Sequence, residues 1–272
     1  MLRVAAVRLV TVLSLGLAIT GSRGAAQDAA APVAEVSAKT WLENRAQIEE
    51  YLKTANVVTM EELKVGVTRP RRAKLAPGGP VDGFAWKVVP PGRPAGFWES
   101  YKSEIAAYEI DKLIGLNMIP PTVERRVDGT VGAAVMWCSP TTSFGQLKGV
   151  PTAPARHIAA WNRQLSRAKM FDNLIGNKDP NLGNWLVDPA WNLILIDHTR
   201  AFTTDKDLVH KKMDHIDGIL WDSMQSLTAE SLQAAIGNWV GKGEIKALLQ
   251  RRDIMKADFD KRIAADPSFI MR

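Results

Sequence analysis

Phe171-Asp172-Asn173-Leu174-Ile175-Gly176-Asn177-Lys178-Asp179-Pro180-Asn181-Leu182-Gly183-Asn184-Trp185-Leu186-Val187, followed by Leu193-Ile194-Leu195-Ile196-Asp197-His198-Thr199-Arg200-Ala201-Phe202, decides the reading of this chain. It sets out a carboxylate, an asparagine five residues later, an apolar strand, a turn and a second carboxylate at a strand end. Phosphoryl transfer needs such a set: one carboxylate to accept or orient the attacking hydroxyl, and an amide oxygen with another carboxylate to hold a divalent ion against the phosphates. Asn, Gly and Pro between Asp179 and Asn184 also favour tight turns with no function attached. Turn chemistry alone does not account for Asp197, which follows a strand thirteen residues after Asn184.

Outward from this stretch the chain changes character. Thr40-Trp41-Leu42-Glu43 is a capping-box pattern, and Trp41, Ile48, Tyr51 and Leu52 recur at helical spacing, which predicts a helix over 40–54. Residues 64–75 and 83–89 read as strands on either side of Pro77-Gly78-Gly79-Pro80, and 90–96 as a Pro/Gly loop. A helix is predicted over 99–115, and a hairpin of 122–127 and 131–137 around Asp128-Gly129. Beyond Ser139-Pro140 the pattern turns to helices near 156–175, 216–224, 228–240 and 242–264, with a loop at 176–184 and short strands at 184–188 and 192–196. The expected class is α+β, with a strand-rich part at 39–138 and a helix-rich part at 139–272.

On these residues the chain resembles the bacterial branch of the atypical kinase-like proteins, related to phosphatidylinositol 3-/4-kinase catalytic domains and to secretory-pathway protein and sugar kinases. Asp179 and Asn184 keep the spacing of the kinase catalytic loop, and Asp197 stands at the metal-binding position, although His198-Thr199 replaces Phe-Gly. The likeness continues through Gly66-Val67-Thr68-Arg69-Pro70, Phe84-Ala85-Trp86-Lys87, Glu104-Ile105-Ala106-Ala107-Tyr108 and Pro120-Pro121-Thr122-Val123, and covers residues 60–225. It implies a two-lobed protein-kinase-like fold, a small strand-rich N-lobe and a helical C-lobe, with ATP and Mg²⁺ or Mn²⁺ between them. By position it makes Asp179 the catalytic residue and Asn184 and Asp197 the metal ligands. Lys87 would contact the phosphates and Glu104 would pair with it. Gly66 and Thr68 would cover the phosphates, and Met136, Trp137 and Cys138 would form the hinge against the base. The chain departs from the family at Pro180, where an arginine is common, and at the Gly66 turn, which has one glycine where such turns carry three.

Composition bounds the remainder. The 272 residues are 46% hydrophobic and 24% charged, the balance of a globular chain. Residues 1–26 place Arg3 and Arg8 before the apolar run Leu9–Ile19 and small residues ending Gly24-Ala25-Ala26, the order of a secretory signal. That run is too short for a stable transmembrane anchor. Residues 27–38 read as a flexible tether, and the expected location is periplasmic or secreted. The formal charge is +6, and +3 without Arg3, Arg8 and Arg23, too weak to argue for nucleic acid. A single cysteine excludes an internal disulfide, and the four histidines form no His-Glu-x-x-His pair. His198 is read as a donor orienting Asp197 or the catalytic loop. Two functions follow: an exported kinase acting on a hydroxyl of a protein, sugar or lipid head group, or a pseudokinase binding module, for which Pro180 speaks.

Overall fold

Phe84 and Trp86 turn to one face of their strand and Ala85 to the other, and this alternation organises the first lobe of the computed structural model, which describes residues 35–63 and 70–272. Strands β1 (Val57–Glu62), β2 (Arg71–Leu75), β3 (Gly83–Lys87), β4 (Thr122–Val127) and β5 (Thr130–Met136) form an antiparallel sheet in the order β1-β2-β3-β5-β4. Helix α1 (Arg45–Thr54) presses Ile48 and Leu52 against Phe84 and Trp86. Helix α2 (Tyr101–Ile114) lays Tyr101 and Ile105 on Ala133 and Val135, so α1 covers one face of the sheet and α2 part of the other. The β4–β5 turn takes positive φ at Asp128 (47°) and Gly129 (79°), the requirement of a tight two-residue hairpin. At Gly83 a Cβ would lie 2.0 Å from the Ala73 carbonyl oxygen, so only glycine lets β2 and β3 approach.

Three expectations shift here. Residues 40–44 form a turn and α1 begins at Arg45, where the cap Asn44 makes no side-chain hydrogen bond. The Thr40 capping box does not start the helix because Trp41 is drawn completely into the lobe's core. The strand expected over 64–75 is seen at 71–75, with 64–69 outside the described residues. β1 was not expected, since it is a mostly exposed edge strand paired only with β2 and shows no apolar alternation. The expected leader 1–26, the tether as far as 34, and Gly66 and Thr68 also lie outside the described residues. Residues 35–38 are held in place: Ala38 N–H donates to Asp188 Oδ2 at 2.8 Å and Asn192 Nδ2 to Ser37 Oγ at 3.1 Å.

The second lobe carries a small sheet of β6 (Thr142–Ser143), β7 (Trp185–Val187) and β8 (Leu193–Leu195), with helix α3 (Ile158–Ile175) preceding β7. A two-residue strand β9 (Ile216–Asp217) leads into α4 (Gly218–Gln225), α5 (Ala229–Ile236) and α6 (Lys242–Ala265), and β10 (Ile270–Met271) pairs with β9 in parallel. Strands of two residues carry no periodic signal, and β6, β9 and β10 went unforeseen. The apolar core runs from Ala106, Ile110 and Ile114 of α2 through Met170, Phe171 and Leu174 of α3 to Leu248 and Met255 of α6. α2 is thus packed against the sheet on one side and the helical lobe on the other. No helix among the described residues is long and apolar enough to cross a membrane.

Arg251 of α6 is fully buried and forms no ion pair among the described residues. Its Nε donates to the Leu174 carbonyl at 3.0 Å, and its Nη1 to the carbonyls of Thr203, at 3.2 Å, and Asp205. Burial pulls its pKa down to about 10. Gly176 ends α3 at φ 64°, and a Cβ there would meet the guanidinium at 2.8 Å, so the glycine serves both the left-handed cap and the arginine. Arg251→Leu strands these carbonyls and is expected to cost about 3 kcal/mol in a denaturant unfolding curve. A loss within ~0.5 kcal/mol would mean that water replaces the guanidinium.

Candidate active site

The N-terminus of α2 is fixed from two directions. Tyr101 N–H donates to the Val89 carbonyl just past β3 at 2.8 Å, Ser100 N–H to the Thr199 carbonyl at 2.9 Å, and Ser103 Oγ to the Ala201 carbonyl at 3.2 Å. Glu104, in the first turn, is thereby set beside the end of β3 and the segment after β8. Lys87 Nζ lies 2.5 Å from Glu104 Oε1 and 2.8 Å from Asp197 Oδ1. Burial by itself would push the Glu104 carboxyl up, but the Lys87 ammonium and the His198 ring outweigh it and hold it at about 2. Burial would likewise lower Lys87, and the carboxylates of Asp197 and Glu104 reverse the sign and raise it. The lysine is charged and pinned.

Asp197 sits at φ 62°, a left-handed conformation that aspartate tolerates better than most residues. Ile196 N–H donates to the Asn184 carbonyl at 3.0 Å and Thr199 Oγ1 to Asp197 Oδ1 at 3.0 Å, which seats the carboxylate next to the preceding loop. His198 is placed differently from expectation. Its ring is buried and perpendicular to Phe171, and Nδ1, without a hydrogen-bond partner among the described residues, lies 3.7 Å from Glu104 Oε2, so the ring sits behind Glu104 and Nδ1 donates nothing to Asp197.

The loop after α3 is held by its own amides. Asn177 Nδ2 donates to Asp172 Oδ1 at 3.0 Å, Asp179 N–H to Asn177 Oδ1 at 3.2 Å, and Asn181 Nδ2 to Asp179 Oδ1 at 2.9 Å. Asn184 Nδ2 donates to the Asp179 carbonyl at 3.1 Å, which turns its Oδ1 away from the loop backbone. Asp179 keeps a side chain that is 30% exposed. Its Oδ2 faces Arg200 Nη1 at 3.4 Å, and Arg200 Nε and Nη2 each lie 3.0 Å from Glu99 Oε1. The guanidinium is stacked 4.7 Å from the Phe97 ring centre. Pro180 thus offers no cation beside Asp179, and the loop's Lys178 turns to Asp205 at 2.6 Å, but Arg200 supplies one from the Asp197 segment. Sequence reasoning gave no role to Arg200, Glu99, Asp172 or Asn177. The missing arginine at 180 signals that a cation is wanted, and nothing in the spacing says where it comes from.

At the end of β5, the Met136 N–H donates to the Pro121 carbonyl at 2.8 Å and the Trp137 N–H to the Gly83 carbonyl at 3.0 Å. Pro121 has no N–H to return. Among the described residues, the Met136 carbonyl is met by the Cys138 thiol at 3.8 Å. Burial pushes that thiol up to about 12, so it stays protonated. Lys87, Glu104 and Asp197 therefore converge, Asp179 and Asn184 share the adjoining loop, and Met136, Trp137 and Cys138 line the crossing between the lobes. Among the described residues no three His, Cys, Asp or Glu side chains cluster as a metal-binding set. A cation here would need Asn184 Oδ1, Asp197 and oxygens brought by a ligand. These residues suit that use, since Asp197 Oδ2 takes no hydrogen bond among the described residues and Asn184 presents a free amide oxygen.

No protein-family model matches the chain, and no curated protein sequence does. Solved structures do match. The structure of a hydra Fam20 with sugar superposes with a TM-score of 0.66 at 14% identity, covering 83% of this chain and 91% of that one. A Golgi casein kinase with Mn/ADP bound gives 0.58 at 14% identity over 78% and 74% of the two chains. A further Golgi casein kinase structure gives 0.58 at 15% identity over 82% and 77%. The chain has the atypical protein-kinase-like fold of these proteins, a strand-rich lobe over a helical one.

Proposed function

We propose that this chain is an exported ATP-dependent phosphotransferase that moves the γ-phosphate to a hydroxyl of a protein, sugar or lipid head group. The observation that carries the reading is Lys87 held between the buried Glu104 and the partly exposed Asp197. A lysine fixed in this way offers its charge to phosphates at the mouth of the cleft. Asn184 and Asp197 would hold Mg²⁺ or Mn²⁺, as suits the Mn/ADP described for the structurally similar Golgi casein kinase. The ion would neutralise phosphate charge. The acceptor oxygen forms a bond to the γ-phosphorus as the β,γ-bridging bond breaks, ADP leaves, and the acceptor's proton passes to Asp179. Catalysis is mostly positioning and charge neutralisation. The leader-like residues 1–26 support export.

Pro180 favours a second reading, a binding module that takes nucleotide without turnover. Calorimetric titration of the protein with ATP, with and without Mn²⁺, and phosphate release from γ-labelled ATP separate the two. Metal-dependent ATP binding that Asp197→Ala abolishes, with label transferred or released, is the expected result. Binding with no transfer to protein, sugar or lipid-head-group acceptors and no release supports the binding module. A folded protein that binds no nucleotide refutes both.

A further inference from the structure

Ala73 and Leu75 of β2 are buried in the first lobe's core with Phe84 and Trp86, which puts Arg72, the residue before Ala73, on the opposite face of the sheet. The register sets Arg72 across from Ala85, and Ala85 across from Val135. Lys87 is two residues on from Ala85 and therefore on the same face, the one that looks into the cleft. Arg72 forms no ion pair among the described residues, although Lys74 and Glu61 pair nearby at 3.4 Å. Its guanidinium carbon lies 4.2 Å from the ring centre of Trp137, just past the end of β5 where the chain passes from one lobe to the other. Its Nε is buried and has no hydrogen-bond partner among the described residues. A cation with a flat face and an unspent donor is thus set on this sheet face; its register partner on β1, Glu61, pairs with Lys74, and no carboxylate among the described residues lies within ion-pair distance of it.

We infer that Arg72 forms the roof of the nucleobase site, where its guanidinium stacks on a purine and adds affinity for the base and not for the phosphates. This rests on the nucleotide reading above and names the residue that grips the base. A guanidinium presents a planar face to an aromatic ring and still directs N–H groups outward in its plane. The triphosphate belongs at Lys87, with Ala85 between the two positions in the sheet.

The test compares Mn²⁺-ATP with Mn²⁺-tripolyphosphate, which carries the phosphates and no base, by calorimetry on wild type, Arg72→Ala and Arg72→Lys. The melting temperature of each variant is measured alongside. Arg72→Ala is expected to weaken ATP roughly tenfold and leave tripolyphosphate unchanged. Arg72→Lys, whose ammonium has no flat face, is expected to restore only part of the loss. The preference for ATP over CTP in the wild type is expected to shrink in Arg72→Ala, because a purine offers the larger stacking surface. Equal losses for ATP and tripolyphosphate would make Arg72 a phosphate ligand or a prop for Trp137 and overturn the inference. So would undiminished ATP binding in both variants. A wild type that binds neither ligand fails earlier, at the nucleotide reading itself, and this inference falls with it.

Discussion

Asp179→Asn is expected to lower phosphoryl transfer by about 10²–10⁴-fold while changing Mn²⁺-ATP affinity by no more than about twofold. The substitution keeps the shape of the side chain and the acceptor oxygen for Asn181 Nδ2, which donates to Asp179 Oδ1 at 2.9 Å. What it removes is the negative charge that would take the acceptor's proton. The backbone of the loop does not depend on that charge: the Asp179 N–H is bonded to Asn177 Oδ1, and its carbonyl accepts from Asn184 Nδ2. Folding and the placement of Asn184 are therefore expected to survive, and thermal unfolding checks the former. Single-turnover transfer from γ-labelled ATP reads the effect. A variant that transfers at the wild-type rate would show that Asp179 takes no proton and that the chemistry lies elsewhere.

Arg200 complicates this site in a useful way. In the family this chain resembles, the residue after the catalytic aspartate is commonly an arginine. Here Pro180 occupies that place, and the nearest cation reaches Asp179 Oδ2 from the segment following Asp197, at 3.4 Å. The same guanidinium is anchored on Glu99 at 3.0 Å, so Asp179, the Asp197 segment and the loop before α2 are tied to one another. The cation beside Asp179 is thus positioned by Glu99 and Phe97, from the segment before α2, and not by the loop itself.

The motif Asp179, Asn184, Asp197 was readable because its parts are local: a loop of amides, a strand and a turn within one stretch of chain. The Asp128-Gly129 hairpin was readable for the same reason, as both residues need positive φ that few others adopt. Relations across long separations left no such trace. Arg200 meets Glu99 over 101 residues and Arg251 meets Leu174 over 77, and neither pairing produces a period or a spacing. His198, expected from its neighbourhood in sequence to serve Asp197 or the catalytic loop, lies instead beside Glu104 and Phe171, because the left-handed turn at Asp197 swings the next side chain inward. The exposed edge strand β1 fails on different grounds. A strand with one partner and little burial has no reason to alternate.

Lys87→Met is expected to cost about 3–5 kcal/mol of stability and to abolish high-affinity nucleotide binding, because it leaves a buried carboxylate without its counter-charge. Glu104 has a side chain only 2% exposed, with Lys87 Nζ at 2.5 Å and His198 Nδ1 at 3.7 Å. The pH dependence distinguishes this cause from simple loss of packing. In the wild type the Glu104 carboxyl is held at about 2, below its ordinary 4.5, so the pair's contribution is complete above pH 4.5 and is lost as pH falls from 4.5 toward 2. In Lys87→Met the burial that raises the carboxyl is no longer opposed by the ammonium, and the sign reverses. The penalty then grows as pH rises above 4.5, so the variant is expected to gain stability on acidification from pH 7 to pH 5, where the wild type stays flat with respect to this pair. Combining Lys87→Met with Glu104→Leu removes both charges together and is expected to recover much of the lost stability without recovering nucleotide binding. Denaturant unfolding at the two pH values, on the four members of this cycle, reads all of these. A Lys87→Met protein with the same pH profile as wild type would mean that Glu104 is already neutral in the fold, and that Asp197 alone holds the lysine.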